Sequence, residues 1–139
     1  MVAIDTNILV RLLIDDPEAV QQTLLARQFL KTVRQVYVPQ IVQVECVWVL
    51  ERAYKVPKEQ LLSLLTTLYD SRVFVLQSEA SFLSALQLFR DTNVGFADSL
   101  ILSEVQSEKL NLFTFDKKLG HLKNCQLLTE TSPLQPSET

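Results

Sequence analysis

The sequence predicts an α/β layer fold built on a mainly parallel sheet. Two observations carry this. Short β-branched or aromatic apolar runs alternate with longer segments of helical periodicity along the whole chain. The 139 residues, 47% hydrophobic and 21% charged, match one globular domain large enough to bury a core without disulfide staples. In such sheets, ligands sit outside the carboxyl ends of the strands, so polar residues that directly follow a strand are read with particular care.

Val2–Ile4 is a short apolar run and predicts a first strand, broken by the polar Asp5, Thr6 and Asn7. Ile8–Ile14 resumes as a helix. Asp15, Asp16 and Pro17 stop it, and the proline starts the next, Glu18 to about Arg34, with Val20, Leu24, Leu25, Phe29 and Leu30 close to helical spacing. Val36–Val38, closed by Pro39, is the second strand. Ile41 to about Tyr54 is a strongly apolar helix, and Pro57 opens another, with Leu61, Leu62, Leu65, Leu68 and Tyr69 on one side. Val73–Leu76 is a third strand. Ser78 reads as the N-cap of a helix over Glu79–Arg90, whose inner face is Phe82, Leu86 and Phe89. Asp91–Gly95 is a loop, Phe96 to about Ser107 a helix, Leu112–Phe115 a strand, Lys117–Leu122 a short helical turn and Gln126–Leu128 a last strand. The domain is expected to span 1–131, with 132–139 a flexible tail.

Net charge bounds the function. At −3, with 16 acidic against 13 basic residues, the chain is not the strongly basic protein that grips nucleic acid by charge alone. Two divalent cations would carry the formal charge from −3 to +1. The two cysteines, Cys46 and Cys125, make no CxxC pattern and read as reduced thiols of a cytoplasmic protein. No segment has the length and apolarity of a membrane span, and Met1–Ile4 lacks the basic start of a signal peptide. Gly95 and Gly120 are the only glycines, so no glycine-rich phosphate loop exists. The single histidine, His121, has no GxSxG partner and reads as a surface turn residue. Trp48 and the leucine stripes read as core or as a dimer contact.

Four acids do not fit a core. Asp5 ends the first strand, where it also suits a helix N-cap. Glu45 is enclosed by Ile41, Val42, Val44, Cys46, Val47, Trp48 and Val49; glutamate is almost never fully buried unpaired, so it faces solvent or a polar cleft. Asp98 lies in the first turn of its helix, where the dipole favours a carboxylate, with Ser99 beside it. Asp116 follows a strand, with Thr114 nearby, and also suits a turn. Carboxylates that converge from separate elements repel one another unless protonated or bridged by cations. Mg2+ or Mn2+ takes such oxygen ligands, and metals so held hydrolyse phosphodiesters.

These four acids, in this order, resemble the PIN-domain ribonuclease family, and most nearly its VapC-type toxins of VapBC toxin–antitoxin pairs. The stretches that carry the resemblance are VAIDTNILVRLL, IVQVECVWVL with Glu45, VGFADSLIL with Asp98 and LFTFDKKL with Asp116. The resemblance implies a three-layer fold, a central parallel sheet flanked by helices. It implies an Mg2+- or Mn2+-dependent endoribonuclease with Asp5, Glu45, Asp98 and Asp116 as metal-site and catalytic acids. Thr6, Asn7, Ser99 and Thr114 would be supporting hydrogen-bonding groups, and Arg11, Lys117 and Lys118 candidate contacts to the RNA substrate. It further implies a homodimer and a small antitoxin partner. The motifs do not separate toxins from PIN-domain RNA-processing nucleases. A protein-binding module whose acids only cap helices and turns is the non-enzymatic alternative. Aspartate-nucleophile phosphoryl transfer is disfavoured, because Asn7 stands where a second acid is expected.

Overall fold

A computed structural model describes residues 1–131; the expected tail over 132–139 lies outside the described residues. The architecture is α/β with seven helices and parallel strands throughout the described residues. The described residues divide into two compact units, Met1–Glu79 and a second that begins at Ala80.

The first unit begins with β1 (Val2–Ala3), α1 (Thr6–Leu13), α2 (Val20–Thr32) and β2 (Val36–Val38), followed by α3 (Gln40–Arg52), α4 (Lys58–Asp70) and β3 (Phe74–Leu76). Its strands form one parallel sheet in the order β1-β2-β3, with Val2 level with Val36 and Val36 level with Phe74. Ile4 extends the first pairing, its N–H donating to the Tyr37 carbonyl at 3.2 Å. Val36 and Val38 are wholly buried in the middle strand, as expected where helical crossovers cover parallel strands. Helix α1 packs against both α2 and α3 through the buried Leu9 and Val10.

Helix α2 departs from expectation. Val20, Leu24 and Leu25 are 55%, 53% and 65% exposed, and the buried positions are Thr23 and Ala26. Small residues let two helices approach closely, so they take the contact and leave the larger apolar side chains outside. Trp48 likewise lies outside the core, 41% exposed, with the Arg52 guanidinium 5.4 Å from its ring centroid. Ser78 does not take the extended backbone that a capping residue uses; its φ is 54°, in the left-handed region.

A polar latch ties α1 to the far end of α3. Arg11 Nη1 donates to the Tyr54 hydroxyl at 2.8 Å, and Tyr54 donates to Asp16 Oδ2 at 2.6 Å. Arg11 Nε donates to Gln22 at 3.0 Å. The Tyr54 hydroxyl, then the Glu18 backbone N–H, hold the Asp16 carboxyl below its ordinary 3.8. A depressed carboxyl stabilises the fold above its unfolded value and loses that contribution as pH falls through the folded one. Tyr54→Phe is therefore expected to destabilise at neutral pH, and the part of its deficit that comes from Asp16 should disappear as pH falls below 3.8, leaving the smaller part due to the lost Arg11 bond. Urea unfolding of both proteins at several pH values tests this; a deficit that persists undiminished in acid would refute it.

The second unit holds α5 (Glu79–Asp91), α6 (Phe96–Ser107), β4 (Leu112–Thr114), α7 (Lys117–Gly120) and β5 (Cys125–Leu127). β4 and β5 pair in parallel, Leu112 level with Cys125. The strands therefore form a three-stranded and a two-stranded hydrogen-bonded group. Phe82, Phe89 and Phe96 form the aromatic part of this unit's core. Val94, Leu102 and Leu119 form a cluster against which Leu112 and Cys125 pack. In the first unit, burial pushes the Cys46 thiol up to about 12, so it stays protonated and inert.

No helix among the described residues is long and apolar enough to cross a membrane.

Candidate metal and nuclease site

Each of the four acids occupies the local position its sequence context predicts. The strand β1 ends and α1 begins at Asp5, which caps the helix: its Oδ1 accepts from the Ile8 N–H at 3.2 Å. One carboxylate oxygen is thus committed to the backbone, while the side chain stays exposed. Asp116 repeats the arrangement after β4, its Oδ1 accepting from the Leu119 N–H at 3.0 Å. The Asp116 N–H in turn donates to Thr114 Oγ1 at 3.0 Å, which fixes the turn. Capping and ligation do not compete for both oxygens of a carboxylate, so either aspartate retains one for another partner.

Glu45 is exposed on α3. It shares a stripe with Ile41, Trp48 and Arg52, at helical spacing on the side turned away from the buried Val42, Cys46 and Leu50. Thr6 Oγ1 donates to Glu45 Oε1 at 2.9 Å. That bond joins the residue after Asp5 to an acid 39 positions away, so within the first unit Asp5 and Glu45 belong to one polar neighbourhood.

In the second unit, Asp98 lies in the first turn of α6. Its carboxyl is raised above the ordinary 3.8, first by partial burial and then by the negative charge of Asp116. Asp98 therefore lies within electrostatic reach of Asp116. None of the four forms an ion pair with lysine, arginine or histidine among the described residues.

The supporting residues divide. Thr6 and Thr114 bond directly to the acids or their backbone. Asn7 is exposed and lines a groove of about 450 Å³ with Asp5, Ile8, Arg11, Leu25 and Phe29. Ser99 turns its hydroxyl proton to its own backbone. It is wholly buried and donates to the Gly95 carbonyl at 2.8 Å, the back-bond that serine makes to residue i−4 inside a helix. Arg11 is engaged in the latch described above, a role invisible without Tyr54. Lys117 and Lys118 are exposed on α7.

The donor chemistry fits a hard divalent cation: carboxylate oxygens without an ion-pair partner among the described residues, one of them, on Asp98, partly desolvated and beside the charge of Asp116. Among the described residues, no three His, Cys, Asp or Glu side chains are already grouped for a metal. Mg2+ commonly keeps several waters and takes only one or two carboxylates.

Comparison with known proteins adds the family. No curated protein matches the chain. The PIN domain family model matches residues 2–124, which takes in Asp5, Glu45, Asp98 and Asp116. The chain belongs to the PIN domain family, whose fold is of nuclease type and whose members are generally nucleases that typically bind divalent metals.

Proposed function

We propose that the protein is an Mg2+- or Mn2+-dependent endoribonuclease, the toxin of a toxin–antitoxin pair, with Asp5, Glu45, Asp98 and Asp116 holding the cation. The observation that carries this reading is the Asp98–Asp116 pair. Partial burial and the negative charge of Asp116 disfavour ionisation of Asp98, and no ion pair with a basic side chain among the described residues offsets this. A fold keeps such a pair at little benefit unless something positive is to be bound there.

A bound divalent cation would supply an activated water and charge stabilisation for the leaving oxygen of the phosphodiester. The chain's residues do the rest. The Ile8 N–H holds one oxygen of Asp5 and the Leu119 N–H one oxygen of Asp116, which limits their rotation and leaves the second oxygen for another partner. Thr6 does the same for Glu45. Thr114 orients the backbone that carries Asp116. Fixed carboxylates cost less entropy to organise around a cation than free ones.

The partners proposed are RNA as substrate, a second copy of the chain and a small antitoxin. The exposed Trp48 and Ile41 support a protein contact on α3, and the groove beside Asp5, with Ile8, Leu25, Ala26 and Phe29 in its wall, supports an apolar inhibitory segment.

The test is cleavage of a mixed RNA pool with Mg2+, with Mn2+ and with EDTA. Discrete cuts that require metal are expected. Absence of cleavage together with absence of Mn2+ binding by calorimetry would sink the reading and leave a module whose acids serve only as caps.

A further inference from the structure

The chain has six arginines, and four of them are occupied within the described residues. Arg11 holds Gln22 and Tyr54. Arg27 pairs with Asp15, Arg90 with Asp91, and Arg52 lies over Trp48. The remaining two, Arg34 and Arg72, have no hydrogen bond, ion pair or ring contact among the described residues. Both line one groove of about 650 Å³, together with Val2, Val33 and Gln35.

Their placement follows from the sheet. Arg34 precedes β2 by two residues and Arg72 precedes β3 by two. The register sets Val36 level with Phe74, and the Val36 N–H reaches back to the Val73 carbonyl at 2.7 Å. Carried two residues back, that register sets Arg34 level with Arg72 just ahead of neighbouring strands. Like charges opposite one another repel. Both side chains are exposed and line the same groove, so no core packing or bridging carboxylate accounts for the pairing among the described residues. A guanidinium pair over a shared groove is a receptor for an anion, and the planar fork can grip a phosphate bidentately. The groove lies at the leading ends of the parallel strands, whereas Asp5 follows the trailing end of β1.

We propose that Arg34 and Arg72 form a phosphate-binding site that holds the backbone of the RNA substrate at a distance from the bond to be cut. The inference rests on the ribonuclease reading above and extends it. A chain of net charge −3 has little general attraction for RNA, so its grip must come from local sites. The two arginines without a partner among the described residues supply one. Their contact is to backbone, so they add affinity without reading bases.

The experiment is fluorescence anisotropy of a labelled single-stranded RNA, in EDTA so that it is not cut, between about 50 and 200 mM salt. The parent is compared with Arg34→Gln/Arg72→Gln and with Arg34→Lys/Arg72→Lys, each checked for folding by circular dichroism. For single strands the logarithmic salt slope is about 0.7 per phosphate neutralised. The glutamine protein should therefore show a slope shallower by about 1.4 and weaker binding at low salt, by roughly tenfold. The lysine protein should keep most of the slope, because charge rather than shape sets it. A slope unchanged in the glutamine protein, while the parent binds and cleaves RNA, overturns this site and leaves the nuclease reading standing. A parent that neither binds nor cleaves RNA overturns the nuclease reading and this site with it.

Discussion

Asp98→Asn is expected to lower metal-dependent RNA cleavage by about a hundredfold or more while leaving the protein folded. The magnitude follows from what a carboxylate ligand contributes. Losing several kcal/mol of charge stabilisation at the reacting phosphate, at about 1.4 kcal/mol per decade, removes two or more orders of magnitude. The stability side has its own sign. Partial burial first, and the Asp116 charge second, raise the Asp98 carboxyl. The folded protein therefore holds its proton more tightly than the unfolded chain, and stability falls as pH rises through the raised value. At neutral pH the ionised Asp98 works against folding, and asparagine relieves that cost in nearly the same shape. Against this stands a lost first-turn charge–dipole interaction of about 0.3–1 kcal/mol. The melting temperature without metal should consequently change little. Added Mn2+ should separate the two proteins. At a hundred times its dissociation constant, a ligand adds about 2.7 kcal/mol, on the order of 8 °C for a chain of this size. The parent should show such a rise and Asp98→Asn little of it. Thermal melts with MnCl2 and with EDTA, run beside the cleavage assay, decide the matter. Equal Mn2+ shifts in both proteins, or cleavage at the parent rate, would sink the assignment of Asp98.

The positions of the acids were legible in the sequence for local reasons. β-branched and aromatic residues followed by proline fix β2 at Val36–Val38, and an apolar run ended by Asp-Thr-Asn places Asp5 at a strand-to-helix junction. Phe96–Ser107 is a helix with the bounds its pattern implies. What was not legible depends on partners distant in the chain. Periodicity shows that α2 has an apolar side but not what covers it, and Thr23 and Ala26 take the buried positions. Arg11 looks like a free cation until Tyr54, 43 residues away, is placed on it. Ser99 looks like a hydroxyl for Asp98, yet the i−4 carbonyl of its own helix is the nearer acceptor. Arg34 and Arg72 are unremarkable in sequence, because only the β2–β3 register makes them neighbours. Ser78 has a capping side chain but a left-handed φ of 54°, which the turn from β3 into α5 imposes on it.

The largest loss of stability is expected from Phe96→Ala, at about 3–5 kcal/mol. Phe96 is 1% exposed. It meets Phe82 edge-on with ring centroids 5.6 Å apart, and Phe89 at 6.1 Å. Such aromatic pairs contribute about 0.5–1.5 kcal/mol beyond the area they bury, so one truncation removes two of them and leaves a cavity. Phe96→Leu keeps most of the volume but neither ring contact, and should cost roughly 1–3 kcal/mol. Position makes the alanine variant more than a cavity mutant. Gly95, at the N-cap of α6, offers no side-chain hydrogen bond, so the helix start is secured by the packing of Phe96 rather than by a capping group. Two residues on lies Asp98. A loosened first turn should therefore blunt the Mn2+-dependent rise in melting temperature even where the variant remains folded, whereas Phe96→Leu should retain it. Urea unfolding should show a lower midpoint at an unchanged slope. A loss below about 1 kcal/mol for the alanine variant would mean that the aromatic cluster does not anchor α6, and the first turn carrying Asp98 would then owe its order to some other contact.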